Sequence, residues 1–86
     1  MNKQQELLVI TMEECAELGQ ACSKIIRFNE DDVLDVDDAC NLQNEVGDVL
    51  CMIELLKERG LIEEDKIQDR ILEKRHKLTR WSNLFK

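Results

Sequence analysis

The sequence predicts an all-α fold, a helical bundle completed by homodimerisation or by a dimer of dimers. Charged residues make up 36% of the chain and alternate with apolar residues at the helical period. Proline is absent and only three glycines occur, so little interrupts a helix. At 86 residues the chain is near the size at which a single core stabilises only marginally, which favours self-association of one domain spanning residues 1–86.

The first helix is expected from about Asn2 to about Arg27. Asn2 is a good N-cap, and Gln5 stands three residues later, the spacing of a capping box. Apolar residues on this helix recur at the helical period, which predicts one buried stripe. That stripe comprises Leu7, Leu18, Cys22 and Ile25, with Ile10, Ala21 and Leu8 beside it.

The second helix is expected from Ala39 or Cys40 to Arg59. Before it, residues 28–39 are rich in acids and predict a loop. Gly60 is placed to end the helix as its C-cap. The apolar stripe of this helix comprises Leu42, Val46, Val49, Ile53 and Leu56, with Met52 at its margin.

A third helix is expected from about Glu63 to Trp81. Its apolar positions repeat at helical spacing and would face the interior of the bundle. They are Ile67, Ile71, Leu78 and Trp81, with Leu84 and Phe85 following the helix.

Two pairs of carboxylates are the most informative feature of the sequence: Glu14-x-x-Glu17 and Glu45-x-x-Asp48. A spacing of three puts both acids of a pair on one helix face, with Cβ atoms about 5–6 Å apart. Glu14 and Glu45 fall within the apolar stripes, where an uncompensated carboxylate costs several kcal/mol or takes up a proton. Four such acids form an oxygen-only ligand set, which suits Mg²⁺ and also Mn²⁺.

Three other metal sites fit the sequence less well. An EF-hand register starting at Asp31 or at Asp35 lacks the glutamate that its last position requires. Glu73-x-x-His76 matches a di-iron motif, but basic residues flank His76 on both sides. The cysteines contain no C-x-x-C pair, so Cys15 and Cys22 are expected as small core residues rather than as zinc ligands.

Composition argues against several partners. A net charge of −7 and only three aromatic residues disfavour binding to nucleic acid, whether by phosphate contacts or by base stacking. No apolar run reaches the roughly 18 residues that span a membrane. The cysteines form no C-x-x-C pair and no signal peptide precedes them, so a reducing compartment and hence a cytoplasmic location are expected. A non-catalytic helical interaction module, whose acids pair with basic groups of a partner, stays open as an alternative.

The flanking residues extend these motifs to a family resemblance. Glu13-Glu14-x-x-Glu17 followed by Glu45-x-x-Asp48 resembles the signature of the all-α nucleoside triphosphate pyrophosphohydrolases, which include MazG-like enzymes, dimeric dUTPases and phosphoribosyl-ATP pyrophosphohydrolase. The segments at 23–28, 45–50 and 74–81 are also similar to those of short MazG-like chains. The resemblance covers nearly the whole sequence.

The resemblance implies an activity and its metal. Glu14, Glu17, Glu45 and Asp48 match the magnesium ligands of the family, and Glu13 matches the leading glutamate, a candidate for holding or deprotonating the attacking water. The family reaction cleaves a nucleoside triphosphate between its α and β phosphates, which gives the monophosphate and pyrophosphate. Family subunits form dimers, in some cases paired again, with the active site at the interface. This chain is shorter than dUTPases and lacks their additional helices, which argues against that particular activity.

Phosphate chemistry of this kind needs cations opposite the metal. Candidates for contact with the substrate are Lys24, Arg27, Lys77 and Arg80, and Lys74 and Arg75 lie near the last two. Lys24 is also placed to pair with Glu17 or Glu13 along one side of its helix. A base pocket would draw on Trp81, Phe28, Asn41 or Asn44, and neither base nor sugar is indicated by the sequence.

Overall fold

The structure, a computed structural model, describes residues 1–28 and 34–86, and these residues form three helices. Helix α1 spans Lys3–Phe28, α2 spans Val36–Glu58 and α3 spans Glu64–Trp81. The described residues contain no strand. The all-α prediction is therefore confirmed. None of the described helices is both long and apolar enough to cross a membrane.

Helix α1 begins with the predicted capping box. The Gln5 backbone N–H donates to Asn2 Oδ1 over 2.8 Å, and the Asn2 backbone N–H donates to Gln5 Oε1 over 2.9 Å. These reciprocal bonds satisfy two amides at an end where no earlier turn supplies acceptors. The helix then continues for 26 residues.

Helix α2 begins earlier than the sequence analysis predicted. Asp35 is its N-cap, because its Oδ1 accepts the Asp38 backbone N–H over 2.8 Å. Asp37 and Asp38 lie in the first turn, where negative charge stabilises the positive end of the helix dipole. The prediction of a loop is therefore wrong for residues 36–38, and also for Phe28, which is the last residue of α1. Residues 29–33, which include the start of the EF-hand register at Asp31, lie outside the described part of the chain.

A glycine in the left-handed region follows α2. Gly60 has a φ of +72° and its N–H donates to the Lys57 carbonyl oxygen over 2.9 Å. That conformation is favourable for glycine and ends the helix, as predicted. After the turn, an ion pair joins Lys57 to Glu64 in the first turn of α3.

The chain divides into two compact units, Met1–Leu56 and Lys57–Lys86. The first contains α1 and most of α2, and within it Leu7, Ala21 and Met52 are buried. The second contains α3, on which Ile67 and Leu78 are half-buried.

Three parts of the predicted apolar stripes are corrected by the structure. Cys15 and Cys22 are exposed rather than core residues, because α1 turns the side that carries Leu7 and Ala21 inward. On α2 the stripe is centred on Met52, and Val46 remains 38% exposed. On α3, Ile71 is 44% exposed and Trp81, the last residue of the helix, is 82% exposed. Neither is therefore a core residue, as the predicted stripe had required.

Candidate metal centre

Four carboxylates from α1 and α2 converge on one point. One oxygen from each of the four acids lies within 4.8 Å of the others. The spacing of three on each helix explains this, because it puts both acids of a pair on the face turned toward the other helix. The four are Glu14 and Glu17 from α1, and Glu45 and Asp48 from α2.

The cluster has an inner and an outer half. Glu14 and Glu45 are half-buried, whereas Glu17 and Asp48 are exposed. Glu14 Oε2 and Glu45 Oε2 are both inaccessible to solvent, and neither has a hydrogen-bond partner within the described part of the chain. A buried carboxylate oxygen without a donor is unfavourable, so these two atoms call for a cation or a proton.

The electrostatics of the inner acids agree with this geometry. Desolvation raises the pKa of Glu14 above its usual value, and the charges of Glu17 and Asp48 raise it further. Desolvation likewise raises the pKa of Glu45, again with the charges of Glu17 and Asp48 adding to it. Crowded like charges in a partly desolvated place favour the protonated form until a cation balances them.

The donor set fits a hard divalent cation. All the converging ligand atoms are carboxylate oxygens, which suit magnesium or manganese better than softer metals. Magnesium retains several waters and accepts phosphate oxygens, so two exposed acids at the outer side are compatible with a bound substrate. A cation among the four acids would also supply the missing partner of both buried oxygens.

An open cavity of about 540 Å³ adjoins the acid cluster. Glu17 and Glu45 belong to both, and Lys24 and Arg27 lie on the cavity wall farther along α1. No ion pair of Lys24 occurs among residues 1–28 and 34–86. The ion pair of Lys24 with Glu17 or Glu13, which the sequence allowed, is therefore not formed. The full lining is Glu17, Gln20, Ala21, Lys24, Arg27, Asn41 and Glu45.

Two lining residues add polar, uncharged groups to the cavity. Gln20 was missed by the sequence analysis, although it stands one turn before Lys24 and three residues after Glu17. Asn41 had been named only as one of several candidates for a base pocket. Their amides can both donate and accept hydrogen bonds, unlike the acids and cations around them.

The remaining predicted site residues lie elsewhere. Glu13 is exposed on α1, next to Glu14 in sequence. Lys77 and Arg80 are on α3, in the second compact unit, so their contact with a substrate stays a prediction. Lys77 is half-buried, and its Nζ lies 3.4 Å from Glu73 Oε1.

Glu73, the carboxylate of the di-iron alternative, is already paired with neighbouring cations. Besides Lys77, Arg70 pairs with Glu73, at 3.2 Å between Nη1 and Oε2. Arg70 in the first place, together with Lys77, holds the pKa of Glu73 below its usual value. This carboxylate is already compensated, in contrast to Glu14 and Glu45.

Comparison with known families settles the membership of the chain. The model of the MazG nucleotide pyrophosphohydrolase domain matches residues 2–81, nearly the whole sequence. The chain belongs to this family. No curated protein and no solved structure gave a significant match.

Membership of the MazG family confirms the resemblance noted from the sequence. MazG domains are nucleotide pyrophosphohydrolases that depend in general on metal, which makes this chain a hydrolase at the family level. The match extends across both compact units. Among the described residues of this MazG domain, the cluster of four acids is a group whose geometry could hold a metal ion.

Proposed function

We propose that this MazG domain is a magnesium-dependent nucleoside triphosphate pyrophosphohydrolase. It hydrolyses a ribo- or deoxyribonucleoside triphosphate to the monophosphate and pyrophosphate, and manganese replaces magnesium in the same site. The observation that carries the proposal is the convergence of four carboxylates, two of which have a buried oxygen without a partner. A helix pair stabilised only by packing has no need of such a cluster.

Glu14, Glu17, Glu45 and Asp48 are the proposed metal ligands. When bound, magnesium neutralises phosphate oxygens and lowers the pKa of the attacking water. The two half-buried acids would fix the position of the ion, and Glu17 and Glu45 line the cavity in which the substrate would lie. Glu13, exposed beside this group, is proposed to orient the water or accept its proton.

Four basic residues are proposed to bind the phosphates. Lys24 and Arg27 line the cavity that also contains Glu17 and Glu45, so a triphosphate there would lie between the acids and these two cations. Charge that develops on the phosphate oxygens is stabilised by such fixed cations. Lys77 and Arg80 are proposed for the same task from α3.

We also propose that the chain acts as a homodimer or a dimer of dimers. Within the described part of the chain only three apolar residues are buried, Leu7, Ala21 and Met52, and none of their side chains is fully enclosed. Such a small core gives little stability, and a second copy would bury more of the exposed apolar surface.

The deciding experiment is a screen of common ribo- and deoxyribonucleoside triphosphates with magnesium, with release of pyrophosphate as the readout. Pyrophosphate rather than orthophosphate as product distinguishes the proposed reaction from that of a phosphatase. Glu45→Gln should abolish release, whereas Glu54→Gln, an exposed acid of the same helix outside the cluster, should not. Silence across the whole panel would contradict the proposal and favour a non-catalytic interaction module.

A further inference from the structure

Arg27 is the lining residue of the cavity that lies farthest along α1 from the acid cluster. At 1.5 Å per residue, Lys24 lies about 10 Å beyond Glu17 along the helix axis, and Arg27 lies about 15 Å beyond it. Side chains of a helix lean toward its N-terminus, so both cations lean back toward the acids. The cavity therefore has an acidic end, formed by Glu17 and Glu45, and a basic end, formed by Lys24 and Arg27.

The guanidinium group of Arg27 is oriented by its own helix. Its Nε donates to the Ser23 carbonyl oxygen over 3.4 Å. Its central carbon also lies 5.4 Å from the centroid of the Phe28 ring, a cation–π contact. Neither contact uses the two terminal amino groups, and no ion pair of Arg27 occurs within residues 1–28 and 34–86. These amino groups therefore keep their N–H donors for a ligand, and a planar pair of donors matches a phosphate.

The lining of the cavity suits phosphate better than a nucleobase. A base is held by stacking on an aromatic ring or by packing on large apolar side chains. The described lining contains neither, since its only apolar side chain is that of Ala21. Residues 29–33, which follow α1 in the sequence, contain no aromatic residue either. The amides of Gln20 and Asn41 can instead donate hydrogen bonds to phosphate oxygens.

The balance of charge gives a substrate its direction in the cavity. Four ionised carboxylates outweigh the charge of one Mg²⁺, so the acidic end attracts no phosphate beyond those that the metal itself binds. The γ-phosphate carries more negative charge than any other part of a nucleoside triphosphate, whereas the nucleoside carries none. The basic end therefore attracts the γ-phosphate and not the nucleoside.

We propose that this cavity is the subsite for the β- and γ-phosphates of the substrate, the part that leaves as pyrophosphate, and that Arg27 binds the γ-phosphate. The nucleoside then lies outside the cavity, on the other side of the metal. The chain accordingly prefers triphosphates to diphosphates and recognises the base with residues that do not line this cavity. This assignment rests on the proposed function, because it requires the α–β bond of the substrate to lie at the metal.

Binding of the leaving group tests the subsite without any turnover. Magnesium pyrophosphate is titrated into the protein by calorimetry, with circular dichroism to show that each variant keeps its helices. Arg27→Ala should weaken the affinity by about 10–100-fold, as expected for the loss of a hydrogen-bonded contact between charged groups. Arg27→Lys keeps the charge but not the planar pair of donors, so its affinity should lie between those of the wild type and Arg27→Ala.

Arg59→Ala is the matched control for this titration. Arg59 is also an exposed arginine at the end of a helix, directly after α2, but it does not line the cavity. Its variant should bind magnesium pyrophosphate as the wild type does. A wild type that does not bind pyrophosphate, or equal affinities for Arg27→Ala and Arg59→Ala, would overturn the subsite.

The preference for triphosphates tests the direction of the substrate. Hydrolysis of a nucleoside diphosphate gives the monophosphate and orthophosphate, and this substrate has no γ-phosphate to reach Arg27. The wild type should therefore have a higher kcat/KM for a triphosphate than for the diphosphate of the same nucleoside. Arg27→Ala should reduce that ratio about tenfold or more, and Arg59→Ala should leave it unchanged. A wild type without the preference, or the wild-type ratio in Arg27→Ala, would overturn the direction.

The choice among bases tests what occupies the cavity. Asn41→Ala should lower kcat/KM by a similar factor for the triphosphates of all bases, because its amide is assigned to phosphate oxygens. A changed preference among bases would place the nucleoside in the cavity and overturn the proposal. Failure of the proposed function looks different: a chain that binds magnesium pyrophosphate through Arg27 but hydrolyses no nucleotide would contradict the hydrolysis while supporting the subsite.

Discussion

Glu14 of α1 and Glu45 of α2 are equivalent members of one site. Each is half-buried, each has its Oε2 atom enclosed without a hydrogen-bond partner within the described chain, and each has a raised pKa caused first by desolvation. Both are crowded by the charges of Glu17 and Asp48. In the absence of metal, these two ionised carboxylates therefore do not stabilise the fold.

Conversion of the cluster acids to amides separates their binding role from their effect on the fold. Glu14→Gln or Glu45→Gln keeps the shape of the side chain and removes its charge, so magnesium affinity and turnover should collapse while the helices survive. The same should hold for Glu17→Gln and Asp48→Asn. Turnover is measured at limiting magnesium, with Glu54→Gln as control. Near-normal turnover in two of the four variants would falsify the four-carboxylate site.

The raised pKa values also predict how stability depends on pH without metal. A carboxyl whose folded pKa exceeds its unfolded value favours folding while protonated, so that contribution is fully present below the usual 4.5 and is lost as pH rises through the folded value. With a chelator present, the melting temperature of the wild type should therefore fall with rising pH relative to that of Glu14→Gln/Glu45→Gln. Equal slopes for the two proteins above pH 4.5 would contradict this.

Two acids of the second unit, Glu64 and Glu73, contribute to stability with the opposite dependence on pH. Lys57 and Gln68 lower the pKa of Glu64 by hydrogen bonding, and Arg70 and Lys77 lower that of Glu73. Their contribution to stability is present above the usual glutamate pKa and is lost as pH falls through the lowered one. The comparison above therefore uses the difference between wild type and variant, from which these shared contributions cancel.

The role of Lys24, a cation of the cavity, is tested by comparison with Lys3, a lysine at the start of the same helix. Lys24→Ala should lower kcat/KM by about 10–1000-fold, the range for one lost electrostatic contact at the transition state, and leave melting nearly unchanged. Lys3→Ala removes the same charge at the start of α1 and should leave both nearly unchanged. Lys77→Ala and Arg80→Ala should also lower kcat/KM if α3 reaches the phosphates. Three kinetically silent variants would show that phosphate recognition lies elsewhere.

Local signals made much of this fold readable from sequence. The Asn2–Gln5 capping box, the turn at Gly60 and the spacing of three between paired acids each depend on neighbours within four residues, and the structure shows the expected geometry at all three. The early start of α2 was readable too, because Asp35 is a good N-cap and acids follow it. The same run of acids also fits a solvated loop, and the start of α2 at Val36 corrects that interpretation.

What the sequence could not predict depends on which side of a helix faces inward. Helix α1 has two apolar stripes, and periodicity alone cannot tell that Ala21 is buried while Cys22, one residue later, is exposed. The cavity was missed for a similar reason. Gln20 has no chemistry that marks it in sequence, and only the approach of Asn41 on the other helix places it in a cavity.

Truncation of Trp81 and Met52 tests the corrected core. Met52 is 7% exposed in the first unit, so Met52→Ala should destabilise the fold by about 2–5 kcal/mol. A buried Trp81 would predict a loss of about 3–5 kcal/mol, but at 82% exposure Trp81→Ala should stay within about 0.5 kcal/mol. Urea unfolding measures both changes in stability. Loss of magnesium-dependent turnover in Trp81→Ala without a change in stability would indicate that this indole contacts the substrate. A loss of several kcal/mol in Trp81→Ala would show instead that the indole is covered in the assembled protein.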